Sequence, residues 1–468
     1  MTNRLAVSIV ILLAELDGCA SSAIDSRDAA AVHDGSIDGA INADAGDASI
    51  GVAPITLALG LDHTCMLRGG VVKCWGRNDS GQLGLEDTRD RGEKASDMGA
   101  GLPSVKLGTG RTAKTIVAGY DHTCAILDND SVKCWGKNAE GRLGVADLIN
   151  RGDLPGMGDG LVAVSLGTGR TVMAIAAGNF HTCAILDNGS VKCWGGNADA
   201  QIGAGDRIDW GDLPAEMGDG LPIVDLGKGR TAKAIAAGDT HTCARLDNGA
   251  IKCWGGNRMG QLGLGDHDDR GGQPGEMGDA LAAVNLGAGR TAKALAMRSN
   301  HACVLLDNGA MKCWGRNTYG QLGLGDKFAR GDDGAKMGDA LTSVDLGTGR
   351  TAKAIVAMLE KTCAVLDDDR IKCWGNNAYG QLGQGDRNNR ADGPGEMGNA
   401  LAPVQLGTGR TVKWLAIGGY HACAVLDDDR LKCWGRNTYG QLGLGDIVDR
   451  GDETGPMGDA LPAVDVGQ

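Results

Sequence analysis

The chain has 468 residues, of which 79 are glycine, 15 cysteine and only 16 aromatic, with 59 acidic against 46 basic side chains. Glycine at more than twice its usual share of about 7%, without a Gly-X-Y period, excludes collagen, and a net charge of −13 excludes the basic face that non-specific nucleic-acid binding needs. Length alone predicts about three domains, and an odd cysteine count leaves one residue apart after pairing.

In chain order, Arg4 is followed by an apolar run from Leu5 to Ala14. Ten residues are too few to span a bilayer, which takes about 20, but they suit the core of a signal peptide. Leu16-Asp17-Gly18-Cys19 then resembles a bacterial lipobox, with Glu15 and Asp17 departing from that pattern. The resemblance implies export, removal of residues 1–18 and a lipid on Cys19; an ordinary secretory signal is the other reading. Residues 19–50 are rich in Ala, Asp, Gly and Ser, with six aspartates against Arg27. Such a segment buries too little apolar area to offset its conformational entropy, so a disordered acidic linker is expected.

From residue 51 the sequence repeats. Cys-Trp-Gly recurs with its Trp at Trp75, Trp135, Trp194, Trp254, Trp314, Trp374 and Trp434, at intervals of 60 residues save one of 59. Each unit holds four short alternating runs broken by Gly, Asp and Asn, which predicts four antiparallel strands and an all-β fold. Seven such units predict a seven-bladed β-propeller over 51–468. Gly51 aligns with Gly229, and Gln468 with Thr408, so the last unit stops where the first begins. The strings H-T-C-A-I-L, K-C-W-G-x-N and G-Q-L-G-x-G-D resemble repeats of the regulator of chromosome condensation family, and that resemblance also implies a seven-bladed propeller. Relatives of this kind include nuclear guanine-nucleotide exchange factors and secreted propellers that inhibit β-lactamase through an aromatic-rich face. Export and acidity argue against the exchange-factor role here.

Two cysteines fall in each unit. A three-residue loop, Asp247-Asn248-Gly249, sets Cys243 opposite Cys253, and the two-residue loop Gly69-Gly70 sets Cys65 opposite Cys74. The same register pairs Cys124 with Cys134, Cys183 with Cys193, Cys303 with Cys313, Cys363 with Cys373, and Cys423 with Cys433 as expected disulfides. A zinc site is the competing reading. His63, His122, His181, His241, His301 and His421 each precede a cysteine by two, and His, Cys and Cys supply three ligands of four. Lys361 breaks that set while Cys363 and Cys373 persist, which favours disulfides. No metal or cofactor is expected.

The recurring G-x-G-R lacks the Walker lysine and reads as a turn, with Arg111, Arg170, Arg230, Arg290, Arg350 and Arg410 expected to pair with repeat aspartates. Arg-Gly-Asp at 151–153, 330–332 and 450–452 is drift at one repeat position. The aspartate-rich loops, such as 266–269, lack EF-hand spacing and read as solvated surface. No asymmetric nucleophile-base set stands out, so catalysis is not expected. Function belongs where the repeats disagree, just before each blade-start histidine: Asp62, Tyr120, Asp121, Asn179, Phe180, Asp239, Asn300, Glu360 and Tyr420. A second variable position carries Tyr319, Tyr379 and Tyr439. Aromatics among Asp and Asn on a rigid rim predict a surface for a protein partner. A carbohydrate-binding or glycan-active channel mouth is the alternative, and unselected drift remains open. The expected product is a monomeric, exported propeller at the cell envelope, touching membrane by its lipid alone and binding no nucleic acid.

Overall fold

The structure is a computed structural model that describes residues 40–42 and 54–467, save 454. The signal peptide, Cys19 and most of the acidic linker lie outside the described residues. Each blade is a three-stranded antiparallel meander built from contiguous sequence. In blade 1, β2 (Ile55–Leu59) pairs with β3 (His63–Arg68), and β3 with β4 (Val71–Gly76). Blades 2 to 7 repeat this arrangement, and the first strands of consecutive blades touch in a ring that returns from blade 7 to blade 1. Alternation places Val, Ile, Leu and Ala between sheets, and each inter-blade core contains one buried Trp of the Cys-Trp-Gly motif.

One expectation, of four strands per blade, is corrected. The fourth run of each unit forms no ladder; a backbone bond ties it to its own blade, as from Val105 N–H to Val72 O at 2.8 Å and from Val284 N–H to Ile251 O at 2.8 Å, and its other backbone bonds go to the next unit, as from Gly158 N–H to Lys106 O at 3.0 Å. The run offers little else to pair with. Pro103, Pro222, Pro403 and Pro462 lack an N–H, and lysines of the next blade donate to its carbonyls, as Lys133 Nζ does to Leu107 O at 3.1 Å. Within the segment expected to be disordered, β1 (Ala40–Asn42) pairs antiparallel with the inner strand Val412–Ile417 of blade 7. That inner edge has unpaired backbone groups, and any extended segment can complete them.

The cysteines face each other in every middle-to-outer strand pair. All seven pairs are disulfide-bonded, with Cα separations of 4.0–4.1 Å. Among the described residues no helix is long and apolar enough to cross a membrane.

Candidate functional site

Most repeated polar residues stitch one blade to the next. His63 Nε2 meets Thr123 Oγ1 of the following blade at 3.0 Å, and that hydroxyl donates to Gln82 O at 3.0 Å. The indole N–H of Trp135 reaches the same carbonyl at 3.0 Å. Equivalent His–Thr contacts join His122 to Thr182, His181 to Thr242 and His301 to Thr362, and His421 to Thr64 closes the ring at 2.8 Å. Because each threonine proton goes to a carbonyl, the histidine is the donor and carries its proton on Nε2. Glycine makes room for the ring: a Cβ on Gly119 would lie 2.1 Å from His122 Cε1. Lys361 replaces the histidine in blade 6, where the next blade has Ala422 instead of threonine, and its ammonium donates to Gly418 O, Gly419 O and His421 O at 2.9–3.2 Å.

The arginines of the G-x-G-R turns pair with hairpin aspartates, Arg111 with Asp128 at 3.1 Å and Arg410 with Asp427 at 3.2 Å, and likewise in the four blades between. In the three Arg-Gly-Asp tripeptides the arginines are tied to Asp147, Asp326 and Asp446, which explains their recurrence by architecture. The aspartates of 266–269 are not simply solvated: Asp266 accepts from Asn257 and Arg270, and Asp269 from Asn257 N–H and Arg207.

Loops 60–62 and 77–91, with their equivalents, share one face, because Arg77 N–H bonds Asp62 O at 2.9 Å. The variable residues lie on it, but not all in one environment. Asp62 is only 4% exposed; it accepts from Gln441 Nε2 at 3.0 Å, and Arg436 lies 3.7 Å away. Burial raises its pKa while Arg436 opposes. Tyr120 turns its hydroxyl inward, beside Asp239, which accepts from Ser299 Oγ at 2.7 Å. Burial first, and the Asp239 carboxylate second, push the Tyr120 phenol well above its ordinary pKa. Expected as open rim, Tyr120 and Asp239 are half-buried, with the Tyr120 hydroxyl and Asp239 Oδ1 turned inward. The reason lies beneath them. Arg298 occupies the position where five blades have glycine, and its guanidinium donates to Leu59 O, Ala118 O and Ala177 O, at the ends of three inner strands across the ring.

The remaining positions divide into two groups. Asp121, Asn179, Asn300 and Tyr319 are half-buried, and Phe180 is stacked by Arg142 at 5.5 Å. Glu360 accepts from Asn376 and pairs with Arg316 at 3.3 Å. Tyr379, Tyr420 and Tyr439 converge from blades 6 and 7. The Arg436 guanidinium lies 5.2, 5.5 and 5.6 Å from their three ring centres, and Arg77 of blade 1 lies 5.4 Å from Tyr439. Tyr379 and Tyr420 meet edge to face at 5.3 Å. Sequence reasoning found these tyrosines but missed Arg436, Arg77 and Arg298. Arg298 carried a usable signal, since it breaks the A-G-x-x-H string.

Comparison with known proteins places this geometry. Two forms of the regulator of chromosome condensation (RCC1) repeat match, one at residues 113–142, 173–201, 232–261, 296–321 and 412–441, the other at 70–126, 129–185 and 368–425. The ultraviolet-B receptor UVR8 of Arabidopsis thaliana is 29% identical over 405 residues, 85% of this chain and 80% of that protein. The human E3 ubiquitin-protein ligase HERC2 is 25% identical over 83% of this chain, which spans only 7% of that protein. Among solved structures, Prp20p of Saccharomyces cerevisiae superposes with a TM-score of 0.58 at 19% identity, covering 78% of this chain and 80% of that one. Human WBSCR16 gives 0.60 at 18% identity, covering 83% and 93%. With the repeat matched over more than half its length, the chain belongs to the RCC1 repeat family.

Proposed function

We propose that this chain is a non-catalytic protein-binding scaffold, exported and held at the cell envelope by a lipid on Cys19, whose partner docks on the loop face at blades 6, 7 and 1. The observation that carries the reading is the Tyr379–Tyr420–Tyr439 cluster packed around Arg436. Tyr and Arg dominate the energetics of protein interfaces, and a group held rigid before binding loses little entropy on docking. Exposed apolar side chains ring the same face further out, including Ile149 at 66% and Phe328 at 73% exposure. Prp20p, a fold relative, was crystallised in work on its binding to Gsp1p and histones, so this architecture can present a protein-binding face. Seven buried disulfides suit an oxidising compartment. The non-catalytic reading rests on most of the repeated His, Thr and Lys side chains being engaged in bonds between blades, and on the repeated Asp side chains being engaged in ion pairs within them. Stacking of sugar rings on the tyrosines is disfavoured, because guanidinium groups already cover those rings.

The test is affinity capture from the cell envelope with the intact chain and with a Tyr420→Ala/Arg436→Ala variant of equal thermal stability. The expected result is a protein recovered by the first and lost by the second. Recovery of the same proteins by both would remove the docking sector, and recovery of glycan alone would replace the protein reading. Mass analysis of the mature N-terminus checks the lipid on Cys19.

A further inference from the structure

Blade interface 4/5 departs from the His–Thr pattern at one residue. His241 is wholly buried, as are the other five blade-start histidines, but the next blade offers Ala302 where a threonine stands in five of the seven blades. Neither Nδ1 nor Nε2 of His241 has a partner, whereas Nε2 of every other blade-start histidine is bonded. The acceptor beyond is still present: Gln261 O takes the indole N–H of Trp314 at 3.0 Å, as Gln201 O takes those of Trp254 and of the Thr242 hydroxyl. At the intact interfaces the threonine oxygen is 2.8–3.0 Å from the histidine nitrogen and 2.7–3.0 Å from the carbonyl. It therefore bridges a donor and an acceptor that both remain when Thr becomes Ala. Blade interface 6/7 also has alanine, Ala422, but there the histidine is replaced by Lys361, which reaches carbonyls directly. Interface 4/5 keeps the histidine and has no such reach.

We propose that interface 4/5 is a binding site for one buried water molecule, which accepts from His241 Nε2–H and donates to Gln261 O in place of the missing hydroxyl. An unpaired polar group in a core is costly, and a site with a donor and an acceptor at bridging distance, where two side-chain atoms have been removed, meets the requirements of an ordered internal water. The water is part of the fold, so removing its room is destabilising and supplying a protein hydroxyl is not.

The decisive measurement is a high-resolution crystal structure of the whole chain. One water oxygen within hydrogen-bond distance of both His241 Nε2 and Gln261 O is expected; empty space, or His241 rotated to another partner, would overturn the proposal. Thermal melts give an independent reading. Ala302→Ser supplies the hydroxyl in place of the water and is expected to melt at or above the wild-type temperature. Ala302→Val fills the space without a polar atom and is expected to melt several degrees lower. Ala302→Val melting as high as the wild type would mean that no water is held there.

Discussion

At the scale of single residues, the buried histidines set the response to pH. Burial holds His63, His181 and His241 down to about 3 and His301 to about 4, and it lowers His122 and His421 as well. The unfolded chain takes protons on these rings near 6.5. Between about 6.5 and 3 the unfolded state therefore binds more protons than the folded one, and stability falls as pH falls. Lys361 acts with the same sign in a higher window. Burial lowers it from 10.5 to about 7, so stability rises as pH rises between those values. The expected outcome is a urea midpoint that is lower at pH 5 than at pH 7.5; a midpoint unchanged over that range would show the rings protonated or exposed. The residues that make the site were unevenly legible. Tyr120 stands two residues before its histidine and Tyr420 one before, and the Tyr120 hydroxyl turns inward, beside Asp239 and Ser299. The one-residue offset separating the two tyrosines was legible locally, but the neighbours that bury the Tyr120 hydroxyl come from blades more than 100 residues away, and no local pattern names them.

At the scale of elements, strands end where a glycine lets a histidine ring pack on the backbone. Gly119→Ala would set a Cβ 2.1 Å from His122 Cε1 and 2.7 Å from Gly178 O, and neither buried neighbour can retreat. A loss of about 2–4 kcal/mol is expected. Gly229→Ala is the control: its φ is +70° but nothing lies within 4 Å, so only backbone strain of about 1 kcal/mol should register. Equal losses in chemical denaturation would show that packing against the histidine does not matter. The hairpins were legible because loop length sets register within ten residues of chain. The missing fourth ladder was not, because the lysines that donate to its carbonyls belong to the next blade.

At the scale of the whole molecule, β1, which precedes blade 1 in the chain, pairs with the inner strand of blade 7. The seam between blades 7 and 1 uses the same bonds as other interfaces: His421 to Thr64, Trp75 Nε1 to Gln441 O at 3.0 Å, and Gly99 N–H to Asp465 O at 2.9 Å. Arg298 adds a tie across the channel. The seven disulfides are buried within this ring, each closing a short loop and contributing on the order of 2–3 kcal/mol at most. Reductant should therefore reach them only as blades open. In thiol titration the cysteines of 54–467 are expected to resist reduction in buffer and to react in urea, and the reduced chain should melt well below the oxidised one. Rapid reduction under native conditions would mean that single hairpins open on their own.

Seven units, a closed ring and the facing cysteine positions were determined by the sequence itself, since each depends on a repeat period or on a turn a few residues long. Only the tertiary structure decided which polar residues remain open to a partner. Asp62 is covered, the Tyr120 hydroxyl is turned inward beside Asp239, and Tyr379, Tyr420 and Tyr439 are gathered around Arg436. The reason is physical: exposure at a blade end depends on side chains from neighbouring blades and across the channel, and folding alone brings those together.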